Sequence, residues 1–408
     1  MSPKKQTVVV EQWVKAAPAQ VYYAFTNATA LREWLCDVAT VLPRPGGRMY
    51  LWWEGDFFSS GSYVSLTPNQ ALTFIWAGRS NPGPTQVTVT LTEQDGGALV
   101  RLSQEVPLGK KWEGQAEMYQ GHWRGSLLNL ASVLETGLDR RITQRPMLGI
   151  MVGEFNSQVA ARLGVPVTQG IRLDGTMEGL GAHAAGLQQN DVIVAVDGKT
   201  ITSDFASLHS AIQGKQVGDV VEVAFYRGAE QKTVAMRLGG RPIPNISFDP
   251  TVFVETLRPR YAEDLAALQA CFAGVAESEA SFIPAPGEWS AKQIMAHLIL
   301  GERGFTAYVS DVIGGHERWA DDYGGNVLAQ IQALLSVYPT LPELLDQFQK
   351  AQAEALAFIS LWPPEFAARK GSYWRMAYGL MLGETHTHAH LEQIRAAIAA
   401  AIAANKNP

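Results

Sequence analysis

The sequence predicts a multidomain α+β chain: a curved antiparallel sheet closed by a long helix, then a small partly open β-barrel, then an up-down four-helix bundle. Three observations predict it. The 408 residues exceed what one hydrophobic core organises, and 47% of them are apolar, which is globular composition. Period-two alternation with glycine-rich turns recurs through roughly the first 240 residues, between a few helical stretches. From Pro250 onward strand signals nearly vanish and helical spacing takes over.

Charge and composition exclude several classes. The net charge of −6 and the scattered Lys and Arg residues leave no basic stripe, so nucleic acid is not an expected partner. No run of about 18 apolar residues is present, so no membrane partner is expected. The opening MSPKKQTVVVEQWV lacks an apolar stretch with a cleavage site. Cys36 and Cys271 fall in different proposed modules and share no metal-binding spacing, which argues against a disulfide framework. Both are expected reduced, and the expected localisation is cytoplasmic.

The first module spans residues 1–143. TVVVEQWV alternates and reads as a strand, and AAPAQVYYAFTNATALREWL reads as helical, with Pro18 opening a helix. Aromatic strands follow after the Pro43–Gly47 turn. A last helix from about Trp112 to Thr136 is spaced through Met118, Trp123, Leu127, Leu130 and Leu134. Such a sheet can wrap the helix around a space. Trp52, Trp53, Phe57, Phe58, Phe74 and Trp76 are candidate linings for a small hydrophobic ligand, or plain core filling. His122 and Glu117 form a nominal acid-base pair without a third group. The stretches APAQVYYAFTNATALREWL, PRPGGRMYLWWEG and YQGHWRGSLLNLASVLETG resemble the activator of Hsp90 ATPase family within the START-like (SRPBCC) helix-grip superfamily. That resemblance implies the fold; its members include co-chaperone domains and lipid or hormone binders.

The second module spans residues 144–242. Asp197-Gly198 and Arg227-Gly228 are turn signals, and Asp204 is placed to cap a short helix. Leu148-Gly149-Ile150, GLQQNDVIVAVDGK and VGDVVEVAFYRG resemble a PDZ domain of the bacterial protease-associated kind. The resemblance implies that amides around Leu148, Gly149 and Ile150 receive the carboxylate of a protein C-terminal peptide. The peptide would add as a strand beside Ile150 and Met151, against a helix carrying Leu208 and Ile212. GLGAHAAGL departs from the family's usual Ser-Pro turn. A spacer with an unused groove is the alternative. His183 and His209 stand alone.

The third module spans residues 245–408. Four helices are expected: Thr251–Gly274, one capped by Ser290, Leu341–Ser360, and about Arg375–Ala401. His386 and His390 are four apart and share a face, in line with Gly379 and Gly383. His297 lies on the interior line of another helix. Three imidazoles there make either a divalent transition-metal site or a hydrogen-bonded cluster without metal. His388 points to another face. Glu384 and Glu302 are off the line, and no general base is named. WSAKQIMAHL with HTHAHLEQI resembles the DinB-like superfamily, which includes thiol-dependent transferases and isomerases. The resemblance implies a metal on His297, His386 and His390; three neutral imidazoles suit zinc, nickel or iron, and Gln393, three residues beyond His390, is close enough to the same face to orient a ligand.

The expected function is a ligand- and peptide-binding adaptor with a metal site in its bundle. A metal-dependent low-molecular-weight-thiol transferase and an Hsp90-type co-chaperone are the alternatives. The sequence leaves open whether the chain is an enzyme.

Overall fold

A computed structural model describes residues 4–55, 57–316 and 328–406. The chain divides into two compact units, Met1–Leu138 together with Pro244–Pro408, and Asp139–Ile243. The N-terminal and C-terminal modules thus share a unit, and the middle module forms the other.

In the first module, strand β1 (Lys5–Val14) is followed by helices α1 (Pro18–Thr26) and α2 (Ala28–Trp34). Pro18 does stand at the start of α1. Then come β2 (Val38–Val41), β3 (Arg48–Trp53), β4 (Phe57–Thr67), β5 (Ala71–Gly78), β6 (Thr85–Gln94) and β7 (Gly97–Pro107). They form an antiparallel sheet in the order β1-β7-β6-β5-β4-β3-β2. Helix α3 (Gln115–Thr136) packs on β1 and β7. Trp123, Leu127 and Leu130 are buried on its sheet-facing side, in one core with Phe25, Trp34 and Phe74. This is the expected helix-grip arrangement.

In the second unit, helix α4 (Arg140–Thr143) leads to β8 (Pro146–Met147), β9 (Ile150–Gly153), α5 (Ser157–Leu163), β10 (Ile171–Thr176) and α6 (Gly181–Ala184). β11 (Val192–Val196), β12 (Lys199–Thr200), α7 (Phe205–Ile212), β13 (Val220–Arg227), β14 (Glu230–Arg237) and β15 (Gly239–Gly240) complete it. The sheet runs β14-β13-β11-β10-β9, with β12 on β11, and β15 pairs with β8. Asp197 and Gly198 both have positive φ (47° and 73°), the tight hairpin the sequence signals. Asp204 caps α7 by accepting from Ala206 N. The buried Asp191 carboxylate is held by both Nε and an Nη of Arg227, each at 2.8 Å, so it is paired as burial demands.

The third module contains α8 (Pro250–Phe272), α9 (Glu277–Ala280), α10 (Ala291–Ile313), α11 (Leu328–Val337), α12 (Leu341–Ser360), α13 (Pro364–Ala368), α14 (Lys370–Met381) and α15 (His386–Lys406). The expected fourth helix is two helices. Leu382–Thr385 interrupts it, with Gly383 at φ +64°, so Gly379 and Gly383 do not continue the histidine line. Both α8 and α10 pack on α12 and α15, and α10 also on α11, which sets the first two long helices across the bundle from one another. The long connection through α9 makes that crossing feasible; short loops would have made them neighbours.

The two modules of the first unit meet along α14. Ser372 donates to the buried Glu33 carboxylate, and Lys370 Nζ donates to Glu135 O at 2.5 Å. Arg369 bonds Tyr23 OH (3.2 Å) and the carbonyls of Val312 (2.6 Å) and Ile313 (2.9 Å). Asn27 Nδ2 donates to Gly315 O at 3.0 Å.

Candidate functional site

The three predicted imidazoles converge. Ser290 accepts from Gln293 N, and Gln293 returns a bond to Ser290 N at 2.8 Å, a capping box that fixes where α10 starts. From that start Ile294, Met295, Leu298 and Ile299 are buried in the core, and His297 turns toward α15. On α15, His386 and His390 lie one turn apart. One ring nitrogen from each of the three histidines lies within 4.8 Å of the others. Ring centroids are 4.8 Å (His297–His386), 5.0 Å (His297–His390) and 4.8 Å (His386–His390) apart.

The donor chemistry fits a metal ion. Two nitrogens bound to one tetrahedral zinc stand roughly 3.3 Å apart, given a bond near 2.05 Å; His297 Nε2 and His386 Nε2 are 3.0 Å apart. His390 Nδ1–H donates to Gln393 Oε1 at 2.8 Å, which leaves Nε2 with its lone pair. His386 is exposed as a residue, yet its ring lies against two other imidazoles. Desolvation first, and then His297 and His390, push its pKa down to about 4, so the ring is neutral at pH 7 as a ligand must be. Gly301, one turn beyond His297, makes the room: a Cβ there would stand 3.1 Å from His386 Nδ1. The Trp289 ring packs 5.3 Å from the His297 ring. A histidine cluster able to hold a divalent metal is therefore present.

His388 stays out of the cluster. Its Nδ1–H donates to Asp264 Oδ1 on α8 at 2.6 Å. Glu302 is off the histidine line as well, but it is not an ordinary surface carboxylate. Burial and then the Asp264 charge push its pKa up to about 7. Glu384 is exposed in the turn before α15. Sequence reasoning found neither the role of Gly301 nor the part of Asp264. Gly301 carried a signal, since a glycine one turn from a candidate ligand inside a helix marks a close approach; Asp264, on a distant helix, carried none.

The six aromatic candidates of the first module do not share a face. Trp53 pairs with Phe57 across β3 and β4, and the Trp53, Trp76 and Trp123 rings form a chain with centroids 5.9 Å and 5.2 Å apart. Phe74 and Trp76 are buried in the core beneath α3, and Phe57 is exposed. Trp52 and Phe58 oppose each other in the register one step away, so they project from the other side of the sheet, where Phe58 stacks on Tyr50 with centroids 6.0 Å apart. The six candidates therefore fall on two faces, Trp53, Phe57, Phe74 and Trp76 on one and Trp52 and Phe58 on the other. His122 and Glu117 are both exposed on α3.

In the second unit, β9 carries Ile150 and Met151 at one end of the sheet order, paired among the described residues with β10 alone. Leu208 and Ile212 on α7 are buried in the core that Ile150 packs against. Leu148 is buried, and Gly149 has φ +79°. A Cβ on Gly149 would stand 2.4 Å from Leu180 Cβ, so glycine is required there twice over. The carbonyls of Leu148 and Gly149 accept from Ala182 N (2.8 Å) and Met177 N (2.9 Å), which fixes the loop. Met151 is 50% exposed beside the open edge.

Comparison with known proteins finds a family match in each of three regions. Residues 15–135 match the family described as activator of Hsp90 ATPase homolog 1-like protein, residues 146–238 the PDZ domain, and residues 260–394 the DinB superfamily. Among curated proteins, the chain is 29% identical over 161 residues to a serine protease Do-like HtrA of Lactococcus lactis, covering 38% of this chain and 35% of that protein. It is 33% identical over 95 residues to the periplasmic serine endoprotease DegP of Salmonella typhimurium, covering 23% of this chain and 20% of that protein. The chain thus spans about a third or less of these relatives. Among solved structures, the Aha1 dimer from Colwellia psychrerythraea is 20% identical with a TM-score of 0.29, covering 32% of this chain and 96% of that one. An HSP90 activator from Plasmodium falciparum is 21% identical with a TM-score of 0.28, covering 31% and 94%. Among the described residues no helix is long and apolar enough to cross a membrane.

Proposed function

We propose that the bundle is a mononuclear metal centre with His297, His386 and His390 as ligands, exchanging water or a low-molecular-weight thiol at the remaining position. The observation that carries this is the convergence of three ring nitrogens within 4.8 Å from two helices. Neutral imidazoles suit zinc, nickel or iron. When bound, such an ion supplies Lewis acidity that lowers the pKa of an oxygen or sulfur ligand. The chain's residues do the rest. Gln393 holds His390 in the tautomer that presents Nε2, Gly301 gives the His386 ring its place, and Trp289 covers one side of His297. With no carboxylate among the three ligands, the site keeps the full charge of the ion and favours an anionic fourth ligand such as a thiolate. Elemental analysis of tag-free protein tests the centre, and displacement of a visible cobalt spectrum by a small thiol tests the ligand. An unchanged spectrum at saturating thiol would remove the thiol from the reading.

The family match over residues 15–135 favours a second reading, regulation of an Hsp90-type ATPase. It supports this above an adaptor that senses an apolar molecule, because the pleat sends Trp52 and Phe58 away from the helix-covered face. The expected result is a several-fold rise in the ATPase rate of a bacterial Hsp90 on adding the full chain. An unchanged rate at saturating chain would count against it.

The second unit is proposed to receive peptide C-termini. β9 as an end strand, the glycine-dependent loop at Leu148–Ile150 and the flanking α7 support this. The 408-residue chain is expected to bind peptides with an apolar last residue in the micromolar range as free acids and at least ~10-fold more weakly as C-terminal amides. Equal binding of acid and amide would remove the carboxylate loop from the reading.

A further inference from the structure

We propose that Asp264 is a positioning residue for the histidine centre: from α8 it clamps the first turn of α15 in the phase that brings His386 and His390 to His297. The inference rests on the reading of those three residues as one centre, but its geometry lies outside them.

α15 begins immediately after a turn containing Gly383 at φ +64°. A helix end next to such a turn frays unless its orphan amides and its orientation are held. Thr385 supplies the cap, since its Oγ1 accepts from His388 N at 3.2 Å. That hydroxyl then donates to Asp264 Oδ1 at 2.6 Å. The same oxygen accepts His388 Nδ1–H at 2.6 Å. One carboxylate oxygen therefore grips the turn at two points three residues apart, on either side of His386.

Asp264 is 3% exposed. A buried carboxylate is tolerated only where donors meet it, so the two bonds are a requirement of its burial as well as a hold on α15. The partners also fix rotation about the helix axis. Positions 386 and 390 lie roughly 200° around the axis from 388, since each residue advances about 100°. With His388 tied to α8, the other two are turned toward α10. His388, which is no ligand, thus has a use: it is the handle by which the ligand-bearing turn is held. Arg260 adds a tie on the same side, donating from Nη2 to Gly383 O at 2.8 Å.

The test uses the full tag-free chain with Asp264→Ala, Asp264→Asn and Thr385→Val. In metal-free protein, hydrogen exchange of the amides at 386–391 is expected to accelerate at least ~10-fold in Asp264→Ala, with α12 unchanged. Cobalt or zinc affinity is expected to fall about 10- to 100-fold in the same variant, the usual effect of losing a second-sphere partner. Asp264→Asn keeps an acceptor and is expected to recover most of both. Thr385→Val, which leaves the carboxylate in place, is expected to show a smaller loss in the same direction, so the clamp stays testable should Asp264→Ala fail to fold. Wild-type exchange and wild-type affinity in Asp264→Ala would overturn the proposal. A wild type that binds no metal would instead remove the metal reading, and the exchange measurement would still decide the clamp.

Discussion

Tag-free wild-type protein is expected to carry about one divalent transition metal per chain, and His386→Ala far less. The expectation follows from three facts of geometry: the ring nitrogens lie within 4.8 Å, His297 and His386 nitrogens are 3.0 Å apart, and Gln393 takes the outer nitrogen of His390. Removing one of three ligands should lower affinity by more than roughly 100-fold, the upper end of what even a second-sphere change achieves. His388→Ala should keep the metal with a much smaller loss, because its imidazole bonds Asp264 and enters no part of the cluster. Inductively coupled plasma analysis with competitive titration checks both. Metal lost from His388→Ala and retained in His386→Ala would refute the assignment. A wild type that stays empty after metal addition would refute the centre itself.

The second large effect is expected at Gly137. Gly137 ends α3 at φ +81°, and a Cβ there would lie 2.7 Å from Lys370 O, 2.9 Å from Phe248 Cζ and 2.9 Å from Trp374 Cβ. Gly137→Val meets two costs at once. Left-handed backbone costs a non-glycine residue about 1–2 kcal/mol, and more when it is β-branched. Overpacking adds about 1–3 kcal/mol. A loss of roughly 2–5 kcal/mol is a large part of ordinary domain stability. Because the clash falls on residues 248, 370 and 374, it should lower the melting point of the N-terminal and C-terminal modules together. Hydrogen exchange resolved by peptide is the measurement. Destabilisation confined to residues 4–136 would show that the modules melt independently. The neighbouring control is Gly125→Ala, where a Cβ meets nothing within 4 Å and little change is expected.

Much of this was legible in the residues. Pro18, Ser290, Asp204 and Asp197-Gly198 announced their helix starts and hairpin because capping and turn chemistry are local. The histidine triad was legible because an i, i+4 pair fixes a common face. What lay beyond reach was set by tertiary partners. Gly383 stood inside an apparently continuous helical pattern, and nothing local distinguishes a tolerated glycine from one that turns the chain. The split of Trp52 and Phe58 from Trp53 and Trp76 needed only the pleat, but it also needed the β3–β4 register, which pairing fixes. Glu33, buried against Ser372, reads in isolation as an exposed helix residue; its burial depends on α14, more than 300 residues away. The joining of the first and third modules was equally invisible, since a chain order of three patterned segments says nothing of which segments adhere.

The short pairing of β8 with β15 has a consequence for how such a chain can change over evolutionary time. Met147 lies opposite Gly239 and Pro146 opposite Gly240, so the segment between Leu138 and Pro244 enters and leaves through adjacent strands. Neighbouring strands are separated by only about 5 Å. A segment with its two ends tied side by side makes little demand on the spacing of the residues it joins, which is the circumstance in which domain insertion is tolerated. The middle unit therefore has the anatomy of a cassette. Another segment whose ends are tied in the same way could take its place while Ser372 and Glu33 keep their bond.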